Sequence, residues 1–336
     1  MKIKILGAGS WGTALALLLY QNGHNVSLWT WDPYHAEKLM AEGENKAFLP
    51  GVPLPADLLI TPHLSGVASA DMVIFAVPSH AVSQVASDVK EYLTPGTILL
   101  NVAKGFYPQG PKRLSEVIEE KLPGYPMAVL SGPSHAEEVA LNLTTTVVVA
   151  GKDDKINQTI QDVFMNGNFR VYTNTDIIGV EIGGAVKNVI ALATGIAVGL
   201  GMGDNALAAI ITRGLAEITR LGVAMGANPA TFSGLTGLGD LVVTCTSHHS
   251  RNRRAGIEIG KGRSWNQVLE DMGMVVEGVY AAENTYKLAQ QYKVEMPITE
   301  QINAVLYQGR APQDAMWALM TRSKTKELPI LLQGKQ

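Results

Sequence analysis

Lys2-Ile3-Lys4-Ile5-Leu6-Gly7-Ala8-Gly9-Ser10-Trp11-Gly12 is the stretch that decides the fold. A run short enough to be a strand ends at Gly7, and a helical stretch, Ser10–Asn22, opens just beyond it. Gly7, Gly9 and Gly12 fall at the spacing G-x-G-x-x-G. The spacing alone is weak evidence, but between a first strand and a first helix each glycine has a physical task. Gly7 makes the tight turn, Gly9 lets the backbone approach a pyrophosphate, and Gly12 lets helix and strand pack closely. The helix N-terminal amides of Ser10, Trp11 and Gly12 then face the phosphates. The stretch predicts a site for a nicotinamide dinucleotide, NAD or NADP, as co-substrate.

Working outward, β-rich runs at Lys2–Leu6, Asn25–Thr30, Asp71–Val77, Thr97–Val102, Met127–Leu130 and Thr146–Ala150 are followed by helical text. The helical stretches are Ser10–Asn22, Pro33–Glu42, Ala81–Tyr92, Lys112–Lys121 and His135–Ala140. This alternation predicts an α/β, Rossmann-type, doubly wound parallel sheet. The near-continuous apolar run Met72–Val77 fits a strand buried on both faces. Residues 43–64, with Pro50, Pro53, Pro55 and Pro62, read as an irregular connection. After about Asp176 the strands stop, and Asp204–Leu221, Trp265–Asp271 and Val279–Tyr292 read as helices. The expected division is a dinucleotide-binding domain over 1–175 and an all-α substrate and dimerisation domain over 176–336.

The chain has 336 residues, 46% of them hydrophobic, which is enough for two cores. Its 27 Lys and Arg against 30 Asp and Glu leave a net charge of -3. That offers no electrostatic footprint for nucleic acid or an anionic membrane, so an anionic substrate needs a local basic pocket. The single cysteine, Cys245, excludes an intrachain disulfide and fits a reducing, cytoplasmic setting. Lys2 and Lys4 ahead of the Ala14–Leu19 run imitate a secretory leader, but three glycines interrupt it and no small-x-small site follows. The uncharged run Asn188–Gly203 is shorter than the roughly 17–25 residues a bilayer span needs, so a buried helix is expected and no integral membrane segment.

Hydride chemistry at a carbonyl needs a group that exchanges a proton with the oxygen and a pocket for the rest of the substrate. Lys104 closes the fourth β-run, at the carboxyl edge where ligands bind in open parallel sheets. Lys187 lies in an apolar helical stretch with Gly183, Gly184 and Ala191 a turn away. Small neighbours leave room for a ligand beside a charge that is costly to bury idly; a lysine snorkelling from a helix end is the alternative. Gly132 and Ser134 follow the fifth run, and Ser134-x-x-Glu137 also reads as a capping box. Asp240 ends the loop Gly234–Gly239, either orienting a buried Lys187 or capping the next helix. Ser250-Arg251-Asn252-Arg253-Arg254 is the densest basic cluster. Arg forks with Ser and Asn donors suit a phosphate, although most charge runs are solvated faces. At the second strand end Trp31 offers a face for adenine, and Asp32 stands late for a ribose acceptor, so NAD against NADP is undecided. Cys245, His248 and His249 lack the partners of a zinc site, and no metal is expected.

In this order several segments resemble the bacterial type of NAD(P)-dependent glycerol-3-phosphate dehydrogenases. They are Gly7–Gly12, Val102-Ala103-Lys104-Gly105, Leu130–Glu138, Val186-Lys187-Asn188-Val189, Gly201–Asn205, Thr212-Arg213-Gly214, Gly237–Asp240, Ser250-Arg251-Asn252 and Val276-Glu277-Gly278. The resemblance runs from Met1 to about Pro297. It implies that the cofactor meets Ser10, Trp11, Lys104, Ala136 and Arg251, with Val275 and Glu277 on its far side. It implies that the substrate meets Lys104, Gly132, Ser134, Lys187, Asp240, Ser250, Arg251 and Asn252, and that Lys187 is the proton acceptor in alcohol oxidation. The implied reaction is reversible hydride transfer between NAD(P)H and dihydroxyacetone phosphate, giving sn-glycerol 3-phosphate for glycerophospholipid biosynthesis, in a homodimer. Trp31 stands where many members have Arg or His, which leaves the NADP preference open. Two rival readings are a related two-domain 3-hydroxy acid or ketoacid dehydrogenase and a non-enzymatic NAD(H)-sensing module. The charge balance and the lack of a DNA-binding motif count against a repressor.

Overall fold

The computed structural model describes residues 1–327; residues 328–336 of the expected second domain lie outside them. Eight strands form one sheet in the order β3-β2-β1-β4-β5-β6-β7-β8. They are β1 (Lys2–Leu6), β2 (Asn25–Trp29), β3 (Leu59–Thr61), β4 (Met72–Phe75), β5 (Ile98–Asn101), β6 (Met127–Ser131), β7 (Thr145–Gly151) and β8 (Phe169–Asn174). β1 pairs in parallel with both β2 and β4. The chain therefore winds outward one way from β1 and resumes on its other side, which makes the carboxyl ends of β1 and β4 the switch point where a crevice opens. The sheet is buried on both faces because its strands alternate between two apolar clusters. Ile3 and Ile5 pack with Leu15 and Leu19 on one side, and Leu6, Val73 and Phe75 pack with Val82 and Val85 on the other.

The helices of this half are α1 (Ser10–Gln21), α2 (Pro33–Glu42), α3 (Val82–Val89), α4 (Leu114–Lys121), α5 (Ala136–Ala140) and α6 (Asp154–Phe164). Three features depart from the expected pattern. β7 runs antiparallel to β6 and parallel to β8. A parallel return is usually carried by a full crossover helix, and the connection between β6 and β7 holds only α5, little more than one turn. β3 lies inside the stretch read as irregular, being only three residues long among prolines. β8 and α6 were not expected; the alternating burial of Phe169, Arg170, Val171 and Tyr172 was the signal available for β8.

From Ile177 onward the described residues are helical. α7 (Ile177–Gly199) is the axis, joined by α8 (Asp204–Ala224), α9 (Asp240–Thr246), α10 (Arg251–Gly260), α11 (Trp265–Met272), α12 (Glu277–Tyr292), α13 (Pro297–Tyr307) and α14 (Pro312–Met320). α7 begins well before Asn188 and is 23 residues long, so shortness is not what rules out a bilayer span. Burial decides instead: 89% of its most apolar window is inside the protein. α10 lies almost backbone to backbone on α7, where a Cβ on Gly195 would strike the Arg253 carbonyl oxygen and one on Gly256 the Leu192 carbonyl oxygen. The two halves are fastened by Glu181 of α7, which accepts from the Ser115 amide at 2.9 Å and from Arg113 Nη1 at 2.8 Å.

Candidate active site

The β1–α1 turn has the geometry its glycines imply. Gly7 has φ +120°, and a Cβ there would sit 2.8 Å from the Ala76 carbonyl carbon and oxygen. A Cβ on Gly12 would collide with the Gly7 carbonyl oxygen, so α1 cannot lie this close to β1 with any other residue. A Cβ on Gly9 would meet nothing within 4 Å. Gly9 caps α1 without a side chain, and the first turn carries no acid. This is open space beside a positive helix end, as a pyrophosphate requires.

From this turn a cleft of about 470 Å³ runs along the carboxyl edge of the sheet. Gly7, Gly9, Ser10, Trp11 and Trp31 line one end, with Thr30, His35 and Phe48 beside them. Lys104, Ser134, Ala136, Lys187, Ser250, Arg251, Asn252, Val275 and Glu277 line the rest. Gly12, Gly132 and Asp240 stand behind the lining; Gly132 and Asp240 act on it through hydrogen bonds to Lys104. The residues present fit a dinucleotide, with backbone amides at one end and cations at the other.

At the cationic end three side chains distant in sequence form one cluster. Lys187, on α7 and only 5% exposed, donates from Nζ to Asp240 Oδ1 at 2.5 Å and to Thr244 Oγ1 at 2.7 Å. Lys104, just past β5, donates to Asp240 Oδ2 at 2.8 Å and to the Gly132 carbonyl at 2.9 Å. Asp240, 1% exposed, thus bridges two ammonium groups. Burial alone would raise its pKa, but Lys104 and Lys187 outweigh that and hold it below the usual carboxylate value. Burial, with Lys104 adding to it, lowers Lys187 to about 8 against the pull of Asp240.

The two readings left open for Asp240 are now separated: it begins α9, but its carboxylate turns to the lysines rather than to a helix amide. The snorkelling alternative for Lys187 fails on its burial. The capping box at Ser134 does not form. α5 starts one residue later, with His135 as its uncapped N-cap, and Ser134 Oγ donates to the Gly132 carbonyl at 3.1 Å. Ser250 caps α10, accepting from the Arg253 amide at 3.2 Å, which leaves its hydroxyl proton free for the cleft. Arg251 donates to the Val275 carbonyl at 3.2 Å, and burial lowers its pKa from the ordinary value. Asn252 is largely engaged, donating to Asn188 Oδ1 at 2.9 Å and accepting from the Gly278 amide at 2.8 Å. Glu277 accepts from the Ser79 amide at 3.2 Å and hydroxyl at 2.7 Å, across the two halves of the chain; burial raises its pKa against these bonds. Sequence reasoning missed Thr244, Asn188 and His135 as cleft residues. Thr244 was readable as one helical turn beyond Asp240, on the same face. Among the described residues no group of three or more His, Cys, Asp or Glu is gathered as a metal site.

A glycine turn at the switch point of a mostly parallel sheet, opening on a cleft whose far wall is a helical layer bearing a buried lysine, defines a Rossmann-type dehydrogenase. Sequence families described as NAD-dependent glycerol-3-phosphate dehydrogenase N-terminus and C-terminus match residues 2–157 and 176–317. The chain belongs to the NAD-dependent glycerol-3-phosphate dehydrogenase family. The glycerol-3-phosphate dehydrogenase [NAD(P)+] of Moorella thermoacetica is 55% identical over 97% of this chain and 97% of its own. That of Desulfitobacterium hafniense is 52% identical over 97% of this chain and 93% of its own. The crystal structure of glycerol-3-phosphate dehydrogenase from Coxiella burnetii superimposes with a TM-score of 0.93 at 42% identity, covering 96% of this chain and 99% of that one. A ketopantoate reductase from Ralstonia eutropha, at 15% identity and a TM-score of 0.61 over 94% of this chain and 100% of its own, shares the fold alone.

Proposed function

We propose that the cleft reversibly reduces dihydroxyacetone phosphate to sn-glycerol 3-phosphate with NAD(P)H, and that the product supplies glycerophospholipid synthesis. The observation that carries this reading is the Lys104–Asp240–Lys187 cluster at the cationic end of a dinucleotide cleft. When bound, the coenzyme supplies or accepts the hydride. Lys187 exchanges the proton. Two of its positions on Nζ are fixed by Asp240 and Thr244, and Thr244 Oγ1 can only accept there because it donates to the Asp240 carbonyl at 2.6 Å. Lys187 lines the cleft, so the remaining position is the one left for a ligand there. It is an N–H donor when Lys187 is charged and a lone pair when it is neutral. In reduction the carbonyl carbon takes the hydride and the oxygen takes this proton; oxidation returns both. Lys104 and Arg251 give the phosphate its counter-charges, and the Ser250 hydroxyl adds a neutral donor.

The ketoacid reading has fold-level likeness alone in its favour. The sensing reading leaves unexplained a buried lysine tuned to about 8. Further parts of the proposal are a division between the two domains near residue 175, with cores on either side, a homodimer built on the helical half, and a cytoplasmic setting. Loss of absorbance of NADH or NADPH on adding dihydroxyacetone phosphate tests the reaction directly. Turnover with ketopantoate but not with the phosphorylated triose would overturn it.

A further inference from the structure

The outer end of the cleft differs in kind from the rest. β2 ends at Trp29, and the wall beyond it is Thr30, Trp31, His35 and Phe48. Among the described residues no Lys or Arg lines this end; the cleft's cations, Lys104, Lys187 and Arg251, lie along its other part. The first two residues of α2 offer an anion no amide. Pro33 at its start has no N–H, and the Tyr34 amide donates to Asp32 Oδ1 at 3.0 Å. The Asp32 carboxylate itself offsets the positive helix end. The lysines nearest in sequence, Lys38 and Lys46, are turned to Glu42 at the far end of that helix, at 4.0 and 3.4 Å. His35 is held edge-on against Phe48, with Nδ1 at 3.1 Å from Thr30 Oγ1 and Nε2 enclosed by protein. Trp31, 79% exposed, presents a neutral indole beside the Asp32 charge.

We propose that this end selects a coenzyme with a free 2′-hydroxyl, NAD(H), over one with a 2′-phosphate, NADP(H), and that Trp31 is the specificity-determining residue. The inference rests on reading the cleft as a dinucleotide site. A 2′-phosphate carries close to two negative charges and needs charge-assisted donors, which this wall lacks and which Asp32 would oppose. A 2′-hydroxyl needs one neutral partner, and the indole face remains for the adenine.

The test is calorimetric titration of the coenzyme-free full chain with NADH, NADPH, 5′-AMP and adenosine 2′,5′-bisphosphate, followed by the same series on Trp31→Arg. NADH should bind at least tenfold more tightly than NADPH, and 5′-AMP more tightly than the bisphosphate. Trp31→Arg, at an exposed position, should narrow the ratio at least tenfold. Asp32→Ser, which keeps a capping oxygen and removes the charge, should narrow it less. Equal or tighter binding of NADPH by the wild type, or an unchanged ratio in Trp31→Arg, overturns the proposal while leaving the dinucleotide reading intact. Failure of every ligand to bind overturns both.

Discussion

The Gly7–Gly12 turn and the Lys104–Asp240–Lys187 cluster sit in the same protein but are built on opposite principles. The turn is contiguous, made of backbone, and works by what is missing: a Cβ at Gly7 or Gly12 has no room, and one at Gly9 would intrude where a ligand belongs. The cluster is made of charged side chains from β5, α7 and α9, more than fifty residues apart at their nearest, and works by what is added. A turn of the first kind offers a pyrophosphate open space and backbone amides. A cluster of the second kind is nearly dry, which is why its lysine titrates near 8.

The largest expected effect falls on the cluster. Lys187→Ala should lower kcat by about 10²–10⁴, the usual worth of a general acid–base group. Lys104 remains to pair Asp240, so the far-ultraviolet circular dichroism should stay native. Turnover close to wild type would make the cluster structural and erase the contrast. Next, Asp240→Asn leaves two ammonium groups without their carboxylate, one of them buried, and should cost about 3–5 kcal/mol in a denaturant melt. In the turn, Gly12→Ala and Gly9→Ala should separate. The first should destabilise by about 1–3 kcal/mol through overpacking. The second should leave the melting temperature unchanged and weaken coenzyme binding; equal effects from both would mean the turn is only structural.

Arg251→Ala should raise KM for dihydroxyacetone phosphate by roughly tenfold or more, the loss of a charge-assisted contact, and spare that for unphosphorylated dihydroxyacetone. The smallest effect is the pH profile. Lys187 has its pKa lowered, to about 8. Oxidation, which needs the neutral amine, should rise through pH 8 and level off, whereas reduction, which needs the ammonium, should fall above it. A profile flat across this range would remove Lys187 from proton exchange.

How much was readable follows the same contrast. The strand–turn–helix at the N-terminus announces itself because its determinants are neighbours in the chain. The apolar runs of β4, β5 and β6 do so because burial on both faces confines polar residues to the strand ends, Asn101 in β5 and Ser131 in β6. The short β3 was hidden by prolines, and β8 by edge polarity. The reversal at β7 was not readable, since strand direction depends on the path of the return and not on the strand's own residues. Ser134 shows the same limit at the site: a capping-box spacing was present, but a hydrogen bond to Gly132 and a later helix start displaced it.

The sequence by itself determined the glycine turn, the alternation that makes a doubly wound sheet, the helical second half and the residues that resemble a dehydrogenase family. These are properties of local backbone geometry and of periodicity, which neighbouring residues settle among themselves. Tertiary structure alone decided that Asp240 serves two lysines rather than a helix end, that Thr244 completes the cluster, and that Asp32 caps α2 instead of lining the cleft. Each of those outcomes turns on which polar group a carboxylate meets once water is excluded, and only the packed fold brings those groups within reach.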